Sequence, residues 1–178
     1  LVNCLVVLLD GVLASGSTDA SVRLWRAGQC TATLTGHTRD VWCLAVLQDG
    51  VLASGSWDTT VRLWREGQCT ATLTGHTGIV HCLAVLPDGS LASGSRDMTV
   101  RLWRDGQCTT TLTGHTSQVS CLAVVPDGGL ASGSDDEAVR LWRDGRCTAT
   151  LTGHSASVKC LAVLLDGSLA SGSVNGTG

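Results

Sequence analysis

Across residues 41–73, four short runs rich in Val, Leu, Thr and Trp, at 41–47, 51–55, 60–65 and 69–73, are separated by turn-forming clusters. Gln48-Asp49-Gly50 joins the first pair and Glu66-Gly67 the last, and both are hairpin signals. Four such runs in succession predict a four-stranded antiparallel meander. A sheet of that kind exposes two faces and needs a neighbour on each.

The neighbours are copies of the same stretch. Trp25, Trp64, Trp103 and Trp142 recur every 39 residues, as do His37, His76, His115 and His154 and the Ser-Gly-Ser triplets starting at Ser15, Ser54, Ser93, Ser132 and Ser171. The chain therefore divides into units 1–34, 39–73, 78–112 and 117–151 and a half unit 156–178. No Pro-rich tract or charge run marks a linker, so one array over 1–178 is expected.

Composition narrows the class further. In 178 residues, 43% of them apolar, there is material for a core, and a net charge of −3 gives no basic field for nucleic acid or for a membrane surface. Phe and Tyr are absent, which leaves few rings to stack on bases. The nine cysteines fall into two columns, Cys4, Cys43, Cys82, Cys121, Cys160 and Cys30, Cys69, Cys108, Cys147, and both read as reduced, small core residues of an intracellular protein, cytoplasmic or nuclear. No metal or cofactor is expected, because no C-x-x-C pair is present. The apolar start at 1–11 lacks a basic leader and aligns in register with 41–50, so it reads as repeat and the chain as an excerpt of a longer array.

A Gly-His before the first strand, a Ser in the second, an Asp in the next turn and a Trp in the third resemble the WD-repeat β-propeller family over essentially the whole chain. The resemblance implies an all-β, β-propeller-type array of four-stranded antiparallel blades. With four and a half copies the array is expected to be incomplete and open, with a sticky edge at its last half-blade that would self-associate. One departure is consistent: Arg26, Arg65, Arg104 and Arg143 follow the Trp where the family usually has Asp.

Three sets have the ingredients of a nucleophilic triad, with a Trp beside each: His37, Ser54, Asp58 and Trp64; His76, Ser93, Asp97 and Trp103; His115, Ser132, Asp136 and Trp142. A catalytic site is needed once, and these recur. In the family the quartet is a buried hydrogen-bond chain, so the resemblance implies a structural role and no enzyme. The acidic run Asp135-Asp136-Glu137 could suggest a metal, but Asp136 belongs to a quartet and the others read as solvated turn residues. The two Arg columns, Arg23, Arg62, Arg101, Arg140 and Arg26, Arg65, Arg104, Arg143, read as locally neutralised by Glu66, Asp105 and Asp144, which follow the second of them.

Units two and three are identical at roughly three-quarters of their positions, and the differences cluster. They fall in the connection into the first strand and in the turn between the second and third, which emerge at one end of an antiparallel meander. The residues expected to bind a protein or peptide partner there are Asp40, Trp42, Trp57, Ile79, His81, Arg96, Gln118, Ser120, Asp135 and Lys159. A fixed scaffold with diversity at one rim suits a non-enzymatic interaction scaffold. The competing readings are a propeller that binds a small molecule or glycan on Trp42 or Trp57, and the sensing segment of a larger nucleotide-dependent receptor.

Overall fold

Turn chemistry sets where each strand stops. In the computed structural model, which describes residues 1–174, the second unit forms β5 (Val41–Val46), β6 (Leu52–Ser56), β7 (Val61–Arg65) and β8 (Gln68–Leu73). The expected runs are each displaced by about one residue, for local reasons. Leu47 leaves the first strand because its N–H bonds Val51 O within the Gln48-Asp49-Gly50 loop, where Gly50 has φ 83°. Thr60 leaves the third because its N–H and hydroxyl both serve Asp58. Gln68 joins the fourth because Glu66-Gly67, at φ 51° and 80°, is a two-residue turn with both residues left-handed.

The same pattern builds β1 (Val2–Val7) through β4 (Gln29–Leu34), β9 (Val80–Val85) through β12 (Gln107–Leu112), and β13 (Val119–Val124) through β16 (Arg146–Leu151). A last pair, β17 (Val158–Val163) and β18 (Leu169–Ser173), makes a two-stranded sheet. Strands pair only with their sequence neighbours, all antiparallel, and the described residues contain no helix.

Packing places the first strands at the hub of an arc. β1 lies against β5, β5 against β9, β9 against β13 and β13 against β17, while β4, β8, β12 and β16 sit at the periphery. The array is open. Leu5 and Val7 on the leading face are 61% exposed, whereas Leu44 and Val46, one period on, pack against the preceding sheet.

Each member of the Ser-Gly-Ser triplet has a packing reason. Ser54 is fully buried in the quartet, and Ser56 Oγ donates to Arg39 O at 3.0 Å, tying β6 to the loop before β5. Between them a Cβ on Gly55 would lie 2.5 Å from Cys43 Sγ and 2.7 Å from Val80 Cγ1, so only glycine lets the next sheet approach.

The cysteine columns separate. Cys43 and Cys121 are buried at the hub, and Cys43 Sγ lies 3.7 Å from Val80 O across the sheet boundary. Cys30, Cys69, Cys108 and Cys147 are exposed on the outer strands, contrary to the core role expected of them, because among the described residues no further strand pairs outside a fourth strand. Every cysteine is a free thiol.

Candidate partner-binding rim

The triad-like sets have the hydrogen bonds of a catalytic triad without its access. Trp64 Nε1–H donates to Ser54 Oγ at 2.8 Å, Ser54 Oγ and His37 Nε2 are 2.8 Å apart, and His37 Nδ1 lies 2.7 Å from Asp58 Oδ2. Because the indole only donates and the carboxylate only accepts, donation runs Trp to Ser to His to Asp. Asp58 also accepts from Thr38 N–H at 3.0 Å and the Thr60 hydroxyl at 2.7 Å. The other two sets repeat this, with Ser93 to Trp103 at 2.8 Å and His76 at 2.7 Å, and Ser132 to Trp142 and His115 at 2.7 Å each.

Ser54, Ser93 and Ser132 are each 0% exposed, so no substrate carbonyl reaches these hydroxyls. The first unit keeps only the Trp25 Nε1 to Ser15 Oγ bond, at 2.8 Å, and the fifth keeps His154 to Ser171, at 2.7 Å. Asn175, expected in the Asp position of the fifth unit, lies outside the described residues.

The rim positions owe their freedom to a β-bulge. In β5 and β6, Val41 pairs with Ser56 and Cys43 with Gly55, so Trp42 has no partner opposite it, and the same shift recurs at Asn3, His81, Ser120 and Lys159. A bulged residue is released from the in-and-out alternation of the pleat and aimed towards the strand end. There it meets the first residue of the turn between the second and third strands. That turn is tied to the loop before the first strand by Trp57 N–H to Asp40 O at 3.0 Å, Arg96 N–H to Ile79 O at 2.8 Å and Asp135 N–H to Gln118 O at 3.0 Å.

Side by side around the hub, these residues touch. Trp42 and Trp57 have ring centroids 5.8 Å apart, and Trp42 meets the His81 ring edge-on at 6.2 Å. His81 Nε2 is 3.3 Å from Gln118 Oε1, and Gln118 Nε2 donates to Asp135 Oδ2 at 2.7 Å. Ser120 Oγ and Lys159 Nζ both donate to Asp135 Oδ1, at 2.8 and 2.5 Å. Asp135 is therefore held by three partners and is not the solvated turn carboxylate the sequence suggested. Among the described residues no His, Cys, Asp or Glu cluster could hold a metal ion.

Electrostatics follow the contacts. Burial pushes the Asp135 carboxyl up, but Lys159, Ser120 and Gln118 outweigh it and leave it below the ordinary carboxylate range. Burial lowers His81 against the opposing pull of Gln118 and Asp135, with Lys159 and Arg96 adding to the lowering, so the ring is neutral at pH 7. Trp42 and Trp57 remain 38% and 36% exposed, Arg96 is exposed, and neither Asp40 nor Arg96 forms an ion pair among the described residues.

Asn3 was absent from the expected set; it stands at the same bulge and donates from Nδ2 to Val41 O at 3.0 Å, a link between sheets that only the register reveals. The end opposite the rim also differs from expectation. Arg26, Arg65, Arg104 and Arg143 pair with Asp10, Asp49, Asp88 and Asp127 in the first hairpin turn of their own sheet, and not with the acidic residues that follow them.

A family model described as "WD domain, G-beta repeat" matches residues 2–26, 28–65, 67–104, 106–143 and 145–177. Its full segments start with the outer strand of one sheet and end with the third strand of the next, so sequence repeat and sheet are out of phase and each repeat links two sheets. Among solved structures, the WD40 beta propeller domain of Doa1 is similar, with a TM-score of 0.83 and 30% identity over 92% of this chain. The chain spans 58% of the length of that solved domain. No curated protein sequence matches it.

Proposed function

This chain belongs to the WD40 family, and from that premise we propose that it is a non-enzymatic scaffold that binds a protein or peptide through the rim running from Trp57 to Lys159. WD40 propellers are in general protein-interaction scaffolds. The observation that carries the finer reading is the direct contact between Trp42 and Trp57, two half-exposed indoles on a framework whose other copies hold His81 with Arg96, or Ser120 with Asp135, at the same places. The fold does not require indole there, and Trp is among the commonest anchors of interfaces.

Asp40 flanks the pair, Ile79 and Arg96 stand at the equivalent positions of the next sheet as the rest of a mixed rim, and the neutral His81 extends the aromatic surface towards Gln118, Ser120, Asp135 and Lys159. The last group is already satisfied internally, which makes it a preorganised polar border. The quartets hold the sheets and take no part in recognition or chemistry.

A ligand selected from a displayed random-peptide library supplies the test. On titration it should shift the indole N–H resonances of Trp42 and Trp57 while those of Trp64, Trp103 and Trp142 stay in place. Movement of the quartet indoles alone would locate binding elsewhere.

A further inference from the structure

The end opposite the rim carries hairpin turns that hardly vary, so variation among the repeats marks no site there. Between the second and third sheets at that end lies a cleft of about 660 Å³. Its accessible apolar wall is built by the half-buried Leu47, Leu63 and Ala71 over the buried Leu73, Leu91 and Trp103, and its mouth carries the Arg65–Asp49 ion pair and the carboxylate of Asp105. The cleft recurs one period away in each direction, at about 410 Å³ with Glu66 at its mouth and about 480 Å³ with Asp144.

In the four complete sheets the Asp of the first turn is neutralised by the Arg of the same sheet, but Glu66, Asp105 and Asp144 are exposed and make no ion pair among the described residues. The charge of the whole end agrees. Its turns hold eight of the 15 carboxylates, and the strand residues flanking those turns carry five of the 12 cationic side chains, so the entire net charge of −3 resides here. An apolar slot with an unpaired carboxylate at its mouth matches a leucine-sized side chain next to a cationic one, and mismatches an acidic segment.

We propose that these clefts are a second interaction surface, distinct from the rim, that takes an extended basic segment of another protein with leucine side chains in the slots and lysine or arginine on Glu66, Asp105 and Asp144. The occupant is a peptide chain because one motif is offered on successive sheets, as the repeated slots of an elongated ligand require. Engagement of more than one cleft by the same segment raises its effective concentration at the next.

The probe is a capped pentapeptide, Lys-Leu-Lys-Leu-Lys, compared with versions carrying Ser for Leu or Glu for Lys. Glu66→Asn, Asp105→Asn and Asp144→Asn together remove the charges, and asparagine suits the left-handed backbone at φ 51°, 51° and 50°. The basic leucine peptide should shift the methyl resonances of Leu47 and Leu63, and its affinity should fall at least about tenfold in the triple variant and in high salt. Trp42→His, at the other end, should leave that affinity unchanged. The proposal is overturned if those methyls do not respond, if the Ser or Glu peptide binds as well, or if Trp42→His abolishes the binding; the comparison among peptides needs no variant to fold.

Discussion

Trp42 and Trp57 meet with ring centroids 5.8 Å apart and planes tilted by 39°, one from a bulge in β5 and the other from the turn after β6. The equivalent residues meet in the fourth sheet as a Ser120–Asp135 hydrogen bond of 2.8 Å. One backbone device thus presents a different pair on each sheet. The framework beneath is held constant by the quartets and by the glycine that admits the neighbouring sheet, so the rim can vary without a cost in folding.

The buried hydroxyl of each complete quartet should matter more than that of the incomplete one. Ser54→Ala leaves the Trp64 N–H and His37 Nε2 without a partner in a dry interior, and should cost about 2–3 kcal/mol. Ser93→Ala and Ser132→Ala should behave alike. Ser15→Ala, which frees only the Trp25 indole of a sheet that lacks the His, should cost about 1 kcal/mol. Urea midpoints of the four variants check this order.

Acid should unfold the chain through the same networks. Burial pushes the Asp58 and Asp97 carboxyls up, but bonds from His37 and Thr60, and from His76 and Thr99, outweigh it and hold both well below the carboxylate range; Asp136 is lowered as well. A lowered folded-state value means that the unfolded chain binds protons the folded chain refuses. That stabilisation is complete above about pH 4 and lost as pH falls further. Burial also lowers His115, against its bond to Asp136, so a second loss accompanies the fall through about pH 6.5. The urea midpoint should decline in two stages as pH is lowered, and Asp58→Asn should flatten the more acidic one.

Thiol reactivity should divide the cysteines by strand. Cys30, Cys69, Cys108, Cys147 and Cys160 are exposed, whereas burial pushes Cys4 up to about 11 and Cys121 up to about 12, and raises Cys43 and Cys82 too. Brief alkylation at pH 8 followed by peptide mass mapping should label the first group and spare Cys43, Cys82 and Cys121.

The repeat, the sheet content and the quartets were legible because a 39-residue period shows which residues must serve the same contact in every sheet. What stayed hidden depends on how sheets sit beside one another. The run VWCLAV shows no alternation, so the bulge at Trp42 leaves no trace in it, and the Lys159–Asp135 bond joins residues of different sheets. Arg65 finds Asp49 across the sheet, 16 residues back, where adjacency in sequence pointed to Glu66. The outer cysteines resembled the inner ones because the period alone does not say which strand of a meander faces solvent.

The most direct measurement is a graft that gives the second sheet the rim of the third: Asp40→Ile, Trp42→His and Trp57→Arg. The third sheet already carries these residues on the same bulge and turn, so the urea midpoint should correspond to a change of no more than about 1 kcal/mol. Calorimetric titration with a peptide that binds the parent chain should then show a loss of at least about tenfold in affinity. A graft that folds and binds that peptide as tightly as the parent would contradict recognition through the Trp42–Trp57 pair, and a graft that unfolds would make the two indoles part of the core.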